Sequence, residues 1–117
     1  MLESKVEGSV CDYAKKAYGF IPYKFTSPAR RSVPDRLLIG PGGLHFFIEF
    51  KAPGKLPTPK QVREIKRLIS LGHLVYVIDN ISTGKWLVDT FINAPYLAPA
   101  PSATPLPDNG YPASARA

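Results

Sequence analysis

Cysteine is nearly absent from this 117-residue chain, and the single one, Cys11, excludes an intrachain disulfide and a cysteine-rich zinc site. One thiol also agrees with a reducing compartment, and its place in a helical pattern suits a small core residue. Histidine is scarce too: His45 and His73 stand far apart and make no metal site by themselves. No apolar run approaches the length that crosses a bilayer. A secretory leader is not expected, because Glu3, Lys5, Glu7, Asp12, Lys15 and Lys16 interrupt residues 2–17. Acidic residues are outnumbered, nine against fifteen Lys and Arg, so the net charge is +6 and the pI about 9.6. That balance suits a polyanionic partner, although solubility alone would explain it equally well. The expected setting is the cytoplasm, with virus encoding an option and no membrane contact. The length corresponds to one ordinary domain.

What the chain does have is a stretch of two apolar strands with charges in the wrong place. Residues Val33 to Lys51 read VPDRLLIGPGGLHFFIEFK. Near-continuous apolar runs are strands buried on both faces, and a bare carboxylate there is normally paired or metal-bound. Strand alternation puts Glu49 and Lys51 on one face and Ile48 and Phe50 on the other. If Pro41-Gly42-Gly43 form a three-residue loop, Gly40 pairs with Leu44 and Asp35 falls directly opposite Glu49. A loop of two or four residues would instead set Asp35 against Ile48. Cross-strand partners lie about 5 Å apart at Cβ. Two carboxylates that close repel unless a proton or cation sits between them, and Mg²⁺ with oxygen ligands, waters and a substrate phosphate is the natural answer.

The flanking segments read as alternating helices and strands. Residues 2–18 form an amphipathic helix with Leu2, Val6, Val10, Tyr13 and Ala17 on one stripe, stopped at Gly19. Phe20 to Phe25 alternates as an edge strand, demoted by Pro22. The loop 26–32 carries Arg30 and Arg31, whose forks match phosphate geometry and whose position beside Asp35 favours nucleic-acid backbone contact over a merely solvated loop. Thr58-Pro59-Lys60-Gln61 opens a second helix as a capping box, with Val62, Ile65, Leu68 and Ile69 on its apolar face and Gly72 at its end. His73 to Asp79 is a buried strand, expected to pair parallel with the Glu49 strand. Residues 82–92 leave helix and loop both open, with Ser82 a candidate cap. From Asn93 onward six prolines interrupt Ala and Ser, so the domain is expected over 1–92 and a proline-rich tail over 93–117.

Pro34-Asp35 followed by Glu49-Phe50-Lys51 resembles the PD-(D/E)XK nuclease pattern. The longer match, Val33-Pro34-Asp35, Ile48 to Gly54, Thr58 to Gln61 and Leu71-Gly72, resembles the VRR-type (virus-type replication-repair) nuclease domain over roughly residues 3–80. A looser similarity is to archaeal Holliday-junction resolvases. The resemblance implies an α/β, restriction-endonuclease-like core, a central mixed sheet flanked by helices. It implies a Mg²⁺-dependent deoxyribonuclease, with Mn²⁺ able to substitute, acting on DNA such as four-way junctions, and a homodimer. Asp35 and Glu49 would hold the metal with the Phe50 carbonyl as a third ligand, and Lys51 would orient the attacking water. A glutamate on the first helix would point into the site; Glu7 is preferred over Glu3 because it flanks the buried stripe. Gln61 would serve the site as well as the cap. Arg30, Arg31, Arg36, Lys55 and Lys60 are the candidate DNA contacts. The rival reading is a basic module that holds nucleic acid without cutting it, Asp35 and Glu49 being tied up by Lys51 or Arg36.

Overall fold

The first helix, α1 (Glu3–Tyr18), ends where the chain needs a left-handed residue: Gly19 has φ 76°. Its amide and that of Phe20 reach back to the Lys15 and Ala14 carbonyls. The structure, a computed structural model, describes residues 1–101. The buried stripe of α1 is Val6, Val10, Cys11 and Ala14. Leu2 and Ala17, expected on it, are exposed, because the helix meets its neighbours only through its middle turns. Burial pushes the Cys11 thiol up to about 11, as suits an inert core residue.

Four strands follow in spatial order as they occur in the chain: β1 (Ile21–Lys24), β2 (Arg36–Ile39), β3 (His45–Phe50) and β4 (Val75–Ile78). β1 and β2 are antiparallel, as are β2 and β3, whereas β3 and β4 run parallel. The sheet is therefore mixed, as expected, with the proline-bearing β1 on one edge. Two-residue alternation divides its side chains between two layers. Phe46, Ile48, Phe50, Tyr76 and Ile78 pack toward α1 and α3 (Ile81–Asn93). Phe47, Val75 and Val77 pack toward Ile65 of α2 (Pro59–Ser70).

α2 begins with the expected capping box: the Gln61 amide donates to Thr58 Oγ1 at 3.2 Å, and the Thr58 amide donates to Gln61 Oε1 at 2.9 Å. The segment left open between helix and loop is helical. Its cap is Asn80 rather than Ser82: the Asn80 side chain accepts from the Thr83 amide at 2.8 Å, and Ser82 Oγ donates to the same oxygen. An amide side chain in the extended position before the first turn can reach that amide; Ser82 already lies inside the helix. α1 and α3 are tied by Asp89 Oδ1, which accepts from Tyr13 at 2.5 Å and Tyr18 at 2.6 Å. α3 continues through Asn93, after which a turn at Pro95–Leu97 brings Ala98 against the core and the Pro99 carbonyl to Tyr76 Oη at 2.9 Å. Packing thus extends past residue 92, and residues 102–117 of the expected tail lie outside the described residues. Among the described residues no helix is long and apolar enough to cross a membrane.

The close crossing of α1 and α3 depends on Gly84. A Cβ there would meet Val10 Cγ2 at 2.5 Å and Ile78 Cγ2 at 3.2 Å. Gly84→Val should therefore destabilise the protein by about 1–3 kcal/mol through overpacking, outweighing the few tenths gained in helix propensity. A lowered midpoint in urea unfolding checks this; an unchanged midpoint would mean that the helices separate at no cost.

Candidate active site

Everything at this site follows from hairpin register. The β2–β3 partners are Arg36 with Ile48, Leu37 with Phe47, Leu38 with Phe46 and Ile39 with His45, so the numbers of each pair sum to 84. The turn is Pro41-Gly42-Gly43, with Gly42 at φ 70° and Gly43 at φ 77°, and the Gly40 amide donates to the Leu44 carbonyl at 2.7 Å. Two consecutive residues in the left-handed region are tolerable only for glycine. The next step of the register beyond Arg36 and Ile48 is Asp35 and Glu49. Asp35 lies just past the last ladder pair, yet remains held there: its Oδ2 accepts from the Phe50 amide at 2.7 Å, and its carbonyl accepts from the Phe25 amide at 3.0 Å.

Glu49 is only 2% exposed. Lys51, two residues on and so on the same face, brings Nζ to 3.4 Å from Glu49 Oε2. Burial, and then the neighbouring Asp35 charge, push the Glu49 carboxyl up to about 8, against the opposing pull of Lys51. Burial likewise raises Asp35, with the Phe50 amide opposing and the charges of Glu7 and Glu3 adding to the rise. Two carboxyl groups thus meet beside one ammonium, and Glu49 keeps its proton to higher pH while no cation is bound. A divalent ion would take the place of that proton, and hard oxygen donors fit Mg²⁺, which uses one or two carboxylates and fills its sphere with water and phosphate. Among the described residues no three His, Cys, Asp or Glu side chains gather as a metal-binding group, so protein carboxylates would supply only part of the sphere. The Phe50 ring is in the main core, and its amide is engaged by Asp35.

The other expected residues divide by face. Arg36 alternates to the side opposite Asp35 and Leu37, toward α1. There its Nε donates to Glu7 Oε2 at 2.6 Å and its Nη1 to the Pro22 carbonyl at 2.7 Å. Arg36 is half-buried, with Nε and Nη1 engaged within the chain. Lys24 Nζ also pairs with Glu7 Oε2, at 3.3 Å, so Glu7 is occupied by two cations. Glu3, one turn earlier and exposed, is the α1 acid whose charge bears on both Asp35 and Glu49. Gln61 has its side-chain oxygen in the α2 cap. Lys55 is exposed in the turn after β3. Arg30, Arg31 and Lys60 line one cleft with Arg63, Glu64 and Arg67, three residues that sequence reasoning missed, although 60, 63, 64 and 67 are spaced as one face of a helix.

Raised carboxyl groups cost stability wherever they are forced to ionise. With the folded Glu49 near 8 and its ordinary value 4.5, the native state holds the extra proton between those limits. Stability of the metal-free protein from this group is therefore undiminished below about pH 4.5, falls as pH rises to about 8, and is lowest above that. Glu49→Gln should raise Tm in EDTA at pH 8 and flatten the decline of Tm between pH 5 and 8. A Glu49→Gln protein that melts lower than wild type at pH 8 would show that Lys51 fully compensates the carboxylate.

No family model matches the chain. A curated relative named "Putative nuclease p44", from Acyrthosiphon pisum secondary endosymbiont phage 1, is 50% identical over 78 residues, spanning 67% of this chain and 83% of that protein. A solved structure titled "VRR_NUC domain" superposes with a TM-score of 0.66 at 29% identity, over 79% of this chain and 95% of that one. The mixed four-stranded sheet with helices on both faces is the arrangement shared with that neighbour. At this identity and coverage, the chain belongs to the VRR-NUC nuclease domain family.

Proposed function

We propose that this nuclease hydrolyses phosphodiester bonds of DNA with Mg²⁺ or Mn²⁺, selecting branched substrates such as four-way junctions, and works as a homodimer. The observation that carries the reading is the pair of carboxyl groups, buried Glu49 and half-buried Asp35, set beside Lys51 at the end of one hairpin. Asp35 and Glu49 would hold the cation, with the Phe50 carbonyl as a further oxygen ligand. Bound there, a divalent ion would supply Lewis-acid polarisation of the scissile phosphate and lower the pKa of water.

The remaining work falls to the chain's own groups. The Phe50 amide fixes the Asp35 carboxylate through Oδ2. Burial of Glu49 excludes bulk water from that carboxylate and strengthens its interactions with charge. Lys51 Nζ orients the attacking water and offsets the negative charge that grows on the phosphate as it becomes pentavalent. Glu3, rather than Glu7, takes the part of the α1 acid, because its charge reaches both carboxylates while Glu7 is held by Arg36 and Lys24. Gln61 would use its amide nitrogen toward the site while its oxygen serves the cap. The rival, a module that binds without cutting, would keep a buried carboxyl raised to about 8 beside Asp35 with no function to offset its cost.

The dimer follows from size. A 12.8 kDa chain with one such centre offers little surface for a branched substrate, and an isologous two-fold contact is the commonest assembly of small chains. Light scattering should give twice the chain mass; a monomer that still cuts would remove the dimer from the proposal.

Cleavage of four-way junctions, flaps, nicked and linear duplexes with Mg²⁺, Mn²⁺ or EDTA tests the chemistry. Cutting is expected with either metal and not in EDTA, fastest on branched DNA. Asp35→Asn, Glu49→Gln and Lys51→Ala should each lower kcat by a factor on the order of 10²–10⁴ while DNA binding stays near wild type. Glu3→Gln should lower kcat, whereas Glu7→Gln should chiefly lower Tm. Full activity in the Asp35 or Glu49 variant would overturn the mechanism.

A further inference from the structure

The cleft between α2 and the Pro28–Ser32 loop belongs to no part of the cleavage chemistry. It encloses about 560 Å³. Lys60, Arg63, Glu64 and Arg67 line it from α2, and Arg30 and Arg31 from the loop. Five cations face one carboxylate there, a net of +4 within a chain of net +6. Concave walls of one sign focus the field on an oppositely charged ligand.

The one acid explains how the cations are arranged. Glu64 is 7% exposed, and its Oε1 lies 3.6 Å from Arg30 Nη1 and 3.5 Å from Arg67 Nε. Both arginine side chains are about half exposed, 53% and 49%. Such pairs add little to stability. Their effect is positional: a buried carboxylate engages one edge of each guanidinium and leaves its other donors toward the cleft. A guanidinium presents a planar fork that fits phosphate oxygens.

Dimensions and placement identify the occupant. From Lys60 to Arg67 α2 rises about 10 Å, which, laid along a duplex axis at about 3.4 Å of axis per phosphate of one strand, spans roughly three phosphates. Phe47 packs on the sheet face that α2 covers, and Glu49 lies two residues further along the same strand, β3, so the cleft and Glu49 share a face. Arg31 is four residues before Asp35, at most about 14 Å along an extended chain.

Resting on the nuclease reading above, we infer that this cleft is a track for the sugar-phosphate backbone of one DNA strand leading away from the cleavage centre, with Glu64 as the positioning residue that sets Arg30 and Arg67.

Binding of a labelled four-way junction and a linear duplex to the full-length protein, in EDTA and across a salt series, tests this without cleavage. Arg63→Ala with Arg67→Ala should weaken binding at least tenfold near 100 mM salt and reduce the slope of log K against log salt by about 2. Lys60→Ala with Arg63→Ala, which touches no ion pair of Glu64, should do the same. Lys15→Ala with Lys66→Ala removes two charges outside the cleft and should change the slope by well under one. Equal losses in the cleft and control pairs, or none in the cleft pairs, would overturn the track. Glu64→Gln should weaken binding even though it removes a negative charge; tighter binding would overturn its positioning role. A protein that cuts no DNA but shows the cleft effect would refute the nuclease chemistry alone, and a protein that cuts with unaltered cleft variants would refute the track alone.

Discussion

The repulsion between Asp35 and Glu49 is the constraint on which the rest of the molecule depends. Neither carboxylate would choose this place: Glu49 is pushed up to about 8, mainly because it is buried and next because Asp35 is beside it. The surrounding fold supplies what holds them there. β3 is bordered on both sides, by β2 and β4, so Glu49 cannot swing out with its strand. Asp35 is fixed from β3 by the Phe50 amide and from the β1 side by the Phe25 amide. Packing energy from Phe46, Phe47, Ile48 and Phe50 outweighs the electrostatic cost of the acid between them. A strongly raised carboxyl kept in a rigid setting is what functional carboxylate pairs commonly look like.

Residues adjacent in the sequence also take different partners. Asp35, just before β2, accepts from the Phe50 amide of β3. Arg36 faces α1, where Glu7 and Lys24 close a compact ion cluster on the other layer. That cluster pins α1 to the β1–β2 edge of the sheet. Neighbouring charges in the sequence thus take different partners, Arg36 a carboxylate of α1 and Asp35 an amide of β3. Basic residues divide similarly: the basic side chains lining the α2 cleft are exposed or half exposed, whereas Arg36 is 20% exposed and held against the Glu7 carboxylate.

Much of this was legible in the residues themselves. Pro41-Gly42-Gly43 admits few backbone shapes, so it determined the turn length, and turn length determined which residue opposes Glu49. Two-residue alternation then determined the faces, including that of Arg36. Thr58-Pro59-Lys60-Gln61 contained its own cap, and Gly19 its own helix end. These features are local or depend on a single short loop, and physics of that range can be read along the chain.

Only the tertiary structure decided which α1 glutamate bears on both carboxylates and which arginines share a cleft. Glu3 and Glu7 lie one helical turn apart, and the choice between them depends on how far α1 slides along the sheet. That position comes from Gly84 admitting Val10 and from Asp89 binding Tyr13 and Tyr18. Arg63, Glu64 and Arg67 had a visible helical spacing, but nothing along the chain brings the Pro28–Ser32 loop against that face. Contacts between segments separated by more than thirty residues arise from packing of the whole core, which no local pattern encodes.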